Sequence, residues 1–253
     1  MVAVTQSDPF FTGRFFDAFL REARDLPVEL VEIVLLKNFN ESRAALARRM
    51  FRFYGTLDFA RLLARYVAAA VAEHRGSPRT VEGVARAHGI RHVRLDSIND
   101  EEYLATLRAR KIDVLLSVAA PQIFRAAALA AAPLVLNVHN GKLPYYRGMM
   151  PTFWAMLHGE PEITITVHEM AAKLDAGHVV AEYPVAIEEG ESMFALGARA
   201  KVIAGSRVAR LLALLRTDAW PAPQRVDLAE QRYFGFPTRA DARTLRARGA
   251  RLL

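Results

Sequence analysis

Short apolar runs alternate with amphipathic stretches over the first part of the chain, and this alternation constrains the fold more than any other feature. The runs contain few charged residues, which is typical of strands that are buried on both faces of a sheet. Helical periodicity fills two of the intervals, at residues 12–24 and 99–110. The apolar runs are residues 2–5, 28–36, 92–95, 113–119 and 133–139. This order predicts an α/β fold, with a mostly parallel sheet and helices on both faces.

The pattern changes after residue 139. A helix is predicted to begin at Pro151, because proline is favoured in the first turn of a helix. Strict alternation of apolar and polar residues over 162–170 predicts a strand with one buried face. A further strand is predicted at 178–187, and a long closing helix at 192–216.

We expect one domain over residues 1–220 and a short, Pro- and Arg-rich C-terminal extension at 221–253. Residues 41–75 form an insertion between the second and third strands. Its apolar residues recur at near-helical spacing, which predicts one or two additional helices packed on the sheet. The alternative interpretation is a contact surface, in which case a homodimer would form through this insertion.

Composition excludes several classes of site. The 253 residues include no cysteine, so disulfides and thiolate metal ligands are excluded. The N-terminal residues lack the features of a signal peptide, and the longest apolar stretch, at 126–138, is too short for a membrane span. We therefore expect a cytoplasmic protein. The net charge of +7 favours either an anionic partner or arginine spread over solvated helix faces, and the scattered arginines favour the latter.

Several cofactor motifs are missing. No G-x-G-x-x-G follows the first strand and no G-x-x-x-x-G-K-[ST] occurs, so neither a dinucleotide nor a phosphate-binding loop is expected. The seven histidines include no H-E-x-x-H and no close pair, so no metal site is expected. His168, in the alternating strand, is expected to be a structural histidine.

The segment "LNVHNGKLPYYRG", residues 136–148, contains the first candidate site. Asn137 and His139 are two residues apart on a strand, so their side chains face the same side. They lie where the strand ends, and ligands of open α/β sheets bind beyond the carboxyl ends of strands. An amide and a protonated imidazole there can stabilise an oxyanion that develops on a carbonyl carbon. The alternative is that Asn137 satisfies the loop backbone and His139 packs beneath it.

A third candidate lies in "KLDAGHVV", where Asp175 precedes Gly177 in a predicted turn between two strands. Asp before Gly is common turn chemistry, so this motif alone is weak. A carboxylate that joined Asn137 and His139 in one cleft would complete an acid–base site for acyl transfer.

Three stretches together resemble the folate-dependent formyltransferases: "NVHNGKLPYYRG", "PTFWAMLHGE" and "ITVHEMAAKLDAGHVV". That family includes the glycinamide ribonucleotide, methionyl-tRNA and amino-sugar formyltransferases. Its pattern is N-x-H, a loop ending in L-P-x-Y-R-G, then I-T-x-H/Y-x-M and L-D-x-G. The resemblance is strong over residues 113–188. It implies a Rossmann-like sheet of the formyltransferase type, with residues 1–220 as the catalytic domain.

The resemblance also implies a reaction. Asn137 and His139 would stabilise the oxyanion, and Asp175 would keep His139 charged and assist proton transfer. The formyl donor would be 10-formyltetrahydrofolate, and the acceptor a primary amine of a small molecule in one-carbon metabolism. A phosphorylated or nucleotide-linked amine is the expected class, with a nucleotide-linked amino sugar as one candidate.

The resemblance places binding residues less firmly. The loop that ends the fourth strand would border the pterin ring, and the loop before Asp175 would close over it. Their candidate donor-binding residues are Ala119, Ala120, Pro121, Gln122, Ile123 and Leu174. Candidate acceptor-binding residues are Ser7, Asp8, Lys142 and Arg147. The family usually has Ser and Leu where this chain has Gly141 and Lys142, so acceptor contacts do not carry over directly.

Three alternatives remain open at this stage. Water could replace the amine, which would make the protein a 10-formyltetrahydrofolate hydrolase. The acceptor could be an aminoacyl-tRNA, although the C-terminal β-domain of the tRNA-specific members does not follow residue 220. A non-enzyme alternative is a basic RNA-binding domain, which would not require Asn137, His139 and Asp175 together; nucleic acid is therefore not the expected partner.

Overall fold

A seven-stranded sheet forms the centre of the computed structural model, which describes residues 1–37 and 42–253. The strands of the described residues are β1 (Val2–Gln6), β2 (Glu32–Leu36), β3 (Arg91–Leu95), β4 (Val114–Val118), β5 (Leu134–His139), β6 (Arg147–Gly148), β7 (Glu162–Glu169), β8 (Val179–Ala186) and β9 (Tyr233–Phe234). Strands β6 and β9 form a separate two-stranded sheet. The sheet order is β3-β2-β1-β4-β5-β7-β8. The first five strands are parallel, whereas β7 and β8 are antiparallel to their neighbours. The predicted α/β fold with a mostly parallel sheet is confirmed.

Helices cover both faces of this sheet, as the alternating sequence pattern predicted. They are α1 (Thr12–Ala23), α2 (Arg43–His74), α3 (Val81–Ala87), α4 (Glu101–Ala109), α5 (Ala126–Leu129), α6 (Pro151–His158), α7 (Met193–Ala213) and α8 (Arg239–Ala247). One apolar layer includes Phe15, Phe16 and Phe19 of α1, and the other includes Leu104 and Leu107 of α4. Each face is therefore closed by its own core. No described helix, in residues 1–37 or 42–253, is long and apolar enough to cross a membrane.

Helices α1 and α7 pack closely along one face, because glycine lies at their contact. A Cβ atom at Gly205 would stand 2.3 Å from the carbonyl oxygen of Phe15. Any side chain at this position would push the two helices apart. This close contact fixes the position of α7 relative to the carboxyl end of β1, and α7 lines the cleft described below.

The insertion between β2 and β3 is helical where the structure describes it. Its predicted first residue, Glu41, lies outside the described residues. Helix α2 contains a break at Gly55, whose φ of 74° is in the left-handed region that favours glycine. Phe53 and Tyr54 before the break are buried in the main core. The second half of α2 exposes apolar side chains at Leu57, Leu63, Tyr66, Val67 and Val71. A subunit contact on this surface stays a prediction.

The C-terminal residues return to the body of the protein. Ala242 and Leu245 of α8, together with Leu252, are buried in the same core as α1 and α7. Strand β9 pairs in parallel with β6, which brings the tail beside Arg147 and Gly148. Residues 221–253 thus contribute to the wall of the cleft, although the domain boundary at residue 220 remains a prediction.

Candidate active site

A cleft of about 1380 Å³ lies at the carboxyl ends of β1, β4 and β5. Parallel strands end at the same edge of a sheet, so the loops that follow them converge there. Side chains from those loops, from β7 and from α7 line the cleft, and Asn137, His139 and Asp175 are among them. The structure therefore brings the three side chains singled out in the sequence to one cavity, although Asp175 is far from the other two along the chain.

His168 fixes the amide of Asn137. The two residues are register partners across β5 and β7, and Asn137 Nδ2 lies 3.1 Å from His168 Nε2. His168 Nδ1 lies 2.8 Å from the carbonyl oxygen of Glu169. A carbonyl only accepts, so Nδ1 carries the proton and Nε2 accepts a hydrogen bond from the Asn137 amide. The second N–H of that amide is left for a ligand.

Burial keeps His168 neutral. Its side chain is 2% exposed, and desolvation, followed by the charge of His139, lowers its pKa to about 4. A neutral ring with a proton on Nδ1 is the form that accepts from Asn137. The expectation of a structural histidine was thus incomplete, because His168 also orients a candidate catalytic amide. The I-T-x-H stretch contains His168, but only the antiparallel register of β5 and β7 shows that this histidine lies opposite Asn137.

We expect the buried neutral state of His168 to make stability depend on pH. The pKa of His168 is lower in the folded protein than in the unfolded chain. The stability that His168 contributes is therefore fully present above pH 6.5 and is lost as pH falls towards 4. Within that window the His168 contribution amounts to about 1.4 kcal/mol per pH unit. Denaturant unfolding of the wild type and His168→Gln, measured across the window, isolates this contribution. Equal pH dependence in the two proteins would contradict it.

His139 is positioned through one of its ring nitrogens. Nε2 lies 2.6 Å from the carbonyl oxygen of Tyr146 and therefore donates to it. Within the described residues Nδ1 has no hydrogen-bond partner, and His139 lines the cleft. Nδ1 is thus the nitrogen left for chemistry, and it donates to a ligand only when the ring is protonated. The contact with Tyr146 also holds the loop after β5 against its own strand.

Asp175 reaches the cleft from a tight turn. Its φ is 47°, and its Oδ2 accepts a hydrogen bond from the backbone N–H of Gly148 at 2.9 Å. A Cβ atom at Gly177 would lie 1.7 Å from the carbonyl oxygen of Glu169, so the turn requires glycine there. Asp175 Oδ1 is 3.7 Å from His168 Nε2. The imidazole nearest to this carboxylate in the described contacts is therefore that of His168, whereas we expected it to be that of His139.

Apolar surface faces the cleft at the predicted donor loops. Residues 119–123 and Leu174 all line the cavity, and Ile123 and Leu174 are 59% and 42% exposed. Ala119 has a φ of 52°, which turns the chain sharply after β4. Gln122 is used within the loop: it accepts from the N–H of Ile98 and donates to the carbonyl oxygen of Asp96. The loop therefore offers backbone groups and apolar side chains rather than a free amide.

The predicted acceptor contacts require correction. Of the four residues, all in the described part of the chain, only Asp8 lines the cleft. Ser7 donates its hydroxyl to Glu82, and Lys142 is an exposed residue outside the cleft lining.

Arg147 and Asp8 have structural partners instead. Arg147 is 4% exposed and donates to the carbonyl oxygen of Leu174 and to Gln231, so it braces the loop before Asp175. The Asp8 carboxylate accepts from backbone N–H groups at the start of α1. The Arg147 contacts link distant parts of the chain, so spacing in the sequence does not predict them, whereas the Asp8 contacts are local.

Sequence reasoning missed several cleft residues. Lys201 on α7 is buried, and burial lowers its pKa to about 8. Its Nζ lies 3.5 Å from Oδ1 of Asn140, the residue that follows His139. Gly197 and Met193, one and two turns earlier on α7, also line the cleft. The sequence shows this four-residue spacing, but no local pattern indicates which face of α7 lines the cleft.

Known proteins resemble this chain in sequence. The sequence model of the family described as "Formyl transferase" matches residues 57–210. A methionyl-tRNA formyltransferase of Anaeromyxobacter dehalogenans (strain 2CP-C) is 33% identical over 147 residues, which cover 58% of this chain and 47% of that protein. The chain thus spans about half the length of this curated relative.

Solved structures share the fold at low identity. Glycinamide ribonucleotide transformylase 1 from Symbiobacterium toebii is 19% identical, with a TM-score of 0.57 over 89% of this chain and 93% of that one. The N-formyltransferase from Helicobacter canadensis, solved with folinic acid and dTDP-3-aminofucose, is 12% identical, with a TM-score of 0.59 over 92% of this chain and 70% of that one. The family model covers more than half of the chain, and we conclude that this chain belongs to the formyl transferase family.

Proposed function

We propose that this protein transfers a formyl group from 10-formyltetrahydrofolate to the primary amine of a small molecule. The observation that carries the proposal is the convergence of Asn137, His139 and Asp175 on one cleft. Family membership supports formyl transfer as the reaction class. The solved relative that contains folinic acid, a formylated folate, supports the choice of donor.

The cleft fits two ligands better than one. Pockets for a single small ligand usually have about 300–1000 Å³, and this cleft has about 1380 Å³. Exposed Ile123 and Leu174 offer apolar surface that a flat, fused ring system would cover. Residues 119–123 and Leu174 would hold the folate there, mainly through backbone groups and apolar contact. The remaining space, towards α1 and α7, is left for the acceptor.

Each of the three side chains has a defined task in the proposed reaction. The acceptor nitrogen forms a bond to the formyl carbon, and the bond from that carbon to the folate nitrogen breaks. The free N–H of Asn137 and the protonated Nδ1 of His139 donate to the formyl oxygen while negative charge develops on it. Asp175 accepts the proton that the attacking amine loses and returns it to the departing folate nitrogen, directly or through water.

His168 supports this chemistry without touching the reacting atoms. Its Nε2 accepts one N–H of Asn137, so the other N–H has a fixed direction. Its Nε2 also lies 3.7 Å from Asp175 Oδ1, so the buried ring borders the Asp175 carboxylate. We therefore assign His168 as a positioning residue of the proposed site.

The proposal leaves two candidates for the amine acceptor. A nucleotide-linked amino sugar remains one candidate, because the Helicobacter canadensis structure contains dTDP-3-aminofucose. A second candidate is an aminoacyl-tRNA. The 33% identity to a methionyl-tRNA formyltransferase favours it. Both acceptors present a primary amine to the same three side chains.

The deciding experiment follows the release of tetrahydrofolate from 10-formyltetrahydrofolate, with and without candidate amines. We expect release to depend on an amine and to yield its formamide in equal amount. Release without any amine, with free formate as product, would identify a hydrolase instead. Asn137→Ala serves as the control, because residual release in this variant reports background decay of the donor. Wild-type release that never exceeds this background would refute the proposed function.

A further inference from the structure

A buried lysine with unused hydrogen-bonding capacity lines the wall of the cleft formed by α7. Lys201 is 9% exposed, and within the described residues its Nζ has one hydrogen bond, to Asn140 Oδ1 at 3.5 Å. An ammonium group carries three N–H donors. No carboxylate of the described chain forms an ion pair with it. A buried charge without a direct partner is costly, and such groups in clefts are concentrated at functional sites.

The carboxylate that influences Lys201 is already engaged elsewhere. Burial lowers the pKa of Lys201 to about 8, and the charge of Asp8 opposes that shift. Both oxygens of Asp8 accept hydrogen bonds at the start of α1, from the N–H groups of Phe10, Phe11 and Thr12 and from the Thr12 hydroxyl. Asp8 therefore serves as an internal anion for this helix end and leaves the ammonium of Lys201 unpaired at neutral pH.

The Asp8 carboxylate also occupies the N-terminus of α1, which would otherwise be a site for an anionic ligand. Backbone N–H groups at the N-terminus of a helix commonly bind phosphate or carboxylate. Here the Asp8 carboxylate occupies the N–H groups at the start of α1. An anion that enters this side of the cleft consequently meets Lys201 as its cationic partner.

The helix face around Lys201 leaves room for a ligand. Met193, Gly197 and Lys201 lie on successive turns of α7 and all line the cleft. A lysine side chain on a helix leans towards the preceding turn, which here carries Gly197 and no side chain. Asn140, which contacts Lys201, directly follows His139 in the chain. A group bound between Lys201 and Asn140 is therefore close to the proposed site of formyl transfer.

We propose that Lys201 and Asn140 form an oxyanion subsite, which binds a carboxylate or phosphate group of the amine acceptor. The inference rests on the proposed function and narrows its substrate class. The acceptor is an amine that carries its anionic group near the reacting nitrogen. Lys201 donates to the oxygens of that group, and the Asn140 amide supplies a neutral donor beside it.

Anion binding by the full chain, measured without any folate, tests this subsite. Inorganic phosphate and acetate are titrated separately by calorimetry at pH 7 and low ionic strength, where charge screening is weak. We expect saturable binding of at least one anion to the wild type, and the tighter of the two identifies the acceptor group. Lys201→Met should weaken that binding at least about tenfold, because it removes a charge-assisted hydrogen bond. Lys201→Arg should retain it within a few-fold.

Two further measurements make the result specific. Lys111→Met, which removes an exposed lysine outside the cleft lining, is the matched control and should bind as the wild type does. Binding to the wild type should also weaken as pH rises through about 8, because the Lys201 ammonium loses its proton there. Absence of binding by the wild type to both anions at millimolar concentration would overturn the subsite, and so would unchanged binding by Lys201→Met. If Lys201→Met fails to fold, Lys201→Gln replaces it.

These outcomes are separable from those of the proposed function. Anion binding involves neither the formyl donor nor Asp175, so its loss refutes the subsite alone. Failure of the wild type to release tetrahydrofolate with any amine refutes formyl transfer, whatever the anion data show.

Discussion

Replacement of His139 by alanine is expected to lower the rate of formyl transfer about 100- to 1000-fold. The variant loses a donor to the formyl oxygen, and this loss acts on the transition state, where the negative charge is largest. The effect should appear in kcat. KM for the folate should stay near the wild-type value, because residues 119–123 and Leu174, and not His139, are proposed to hold the folate. Steady-state kinetics of tetrahydrofolate release, with saturating donor, measure it.

The matched control for this prediction is His178→Ala. His178 has a 54% exposed side chain and does not line the cleft, so its loss should leave the rate within about twofold of the wild type. His139 also donates to the Tyr146 carbonyl, and thermal unfolding of both variants shows whether the loop after β5 has been disturbed. Transfer by His139→Ala at the wild-type rate would contradict the oxyanion role of His139.

Replacement of Asp175 by asparagine is expected to lower kcat about 10²- to 10⁴-fold. Asparagine tolerates the left-handed φ of 47° at this position, and its side-chain oxygen can still accept from Gly148. The loop is thus kept while the group that takes the proton of the amine is removed. Steady-state kinetics of tetrahydrofolate release, with saturating donor, measure this loss.

Asp218→Asn is the corresponding control, because it makes the same change at an exposed residue outside the cleft. It should leave kcat as it is in the wild type. A wild-type kcat in Asp175→Asn would exclude this carboxylate from proton transfer.

The sequence predicted most of the central architecture because strand and helix periodicities are local signals. The apolar runs at β1, β2, β4 and β5 indicated a parallel sheet, and the i, i+2 spacing of Asn137 and His139 placed both at one edge of it. The position of Asp175 came from the resemblance, since a single L-D-x-G turn carries little information. The local pattern and the family motif together were sufficient to predict that these three residues share one cavity.

The remaining features depend on contacts between distant segments. The pairing of Asn137 with His168 follows from the register of β5 against β7, which no local pattern specifies. The presence of Lys201 in the cleft depends on the close packing of α1 and α7 at Gly205. Lys142 looked like a substrate contact because it lies next to the motif, but its side chain points to solvent. Adjacency in the sequence was therefore a poor guide to the acceptor side.

The guanidinium of Arg147 joins three segments that are otherwise separate. It donates to the carbonyl of Leu174 and to Gln231, while β6 pairs with β9 of the tail and Gly148 donates to Asp175. The free energy of ordering the C-terminal tail is consequently coupled to that of ordering the turn that carries Asp175. A ligand that immobilises this turn also strengthens the attachment of the tail, and a factor that detaches the tail weakens the hold on Asp175.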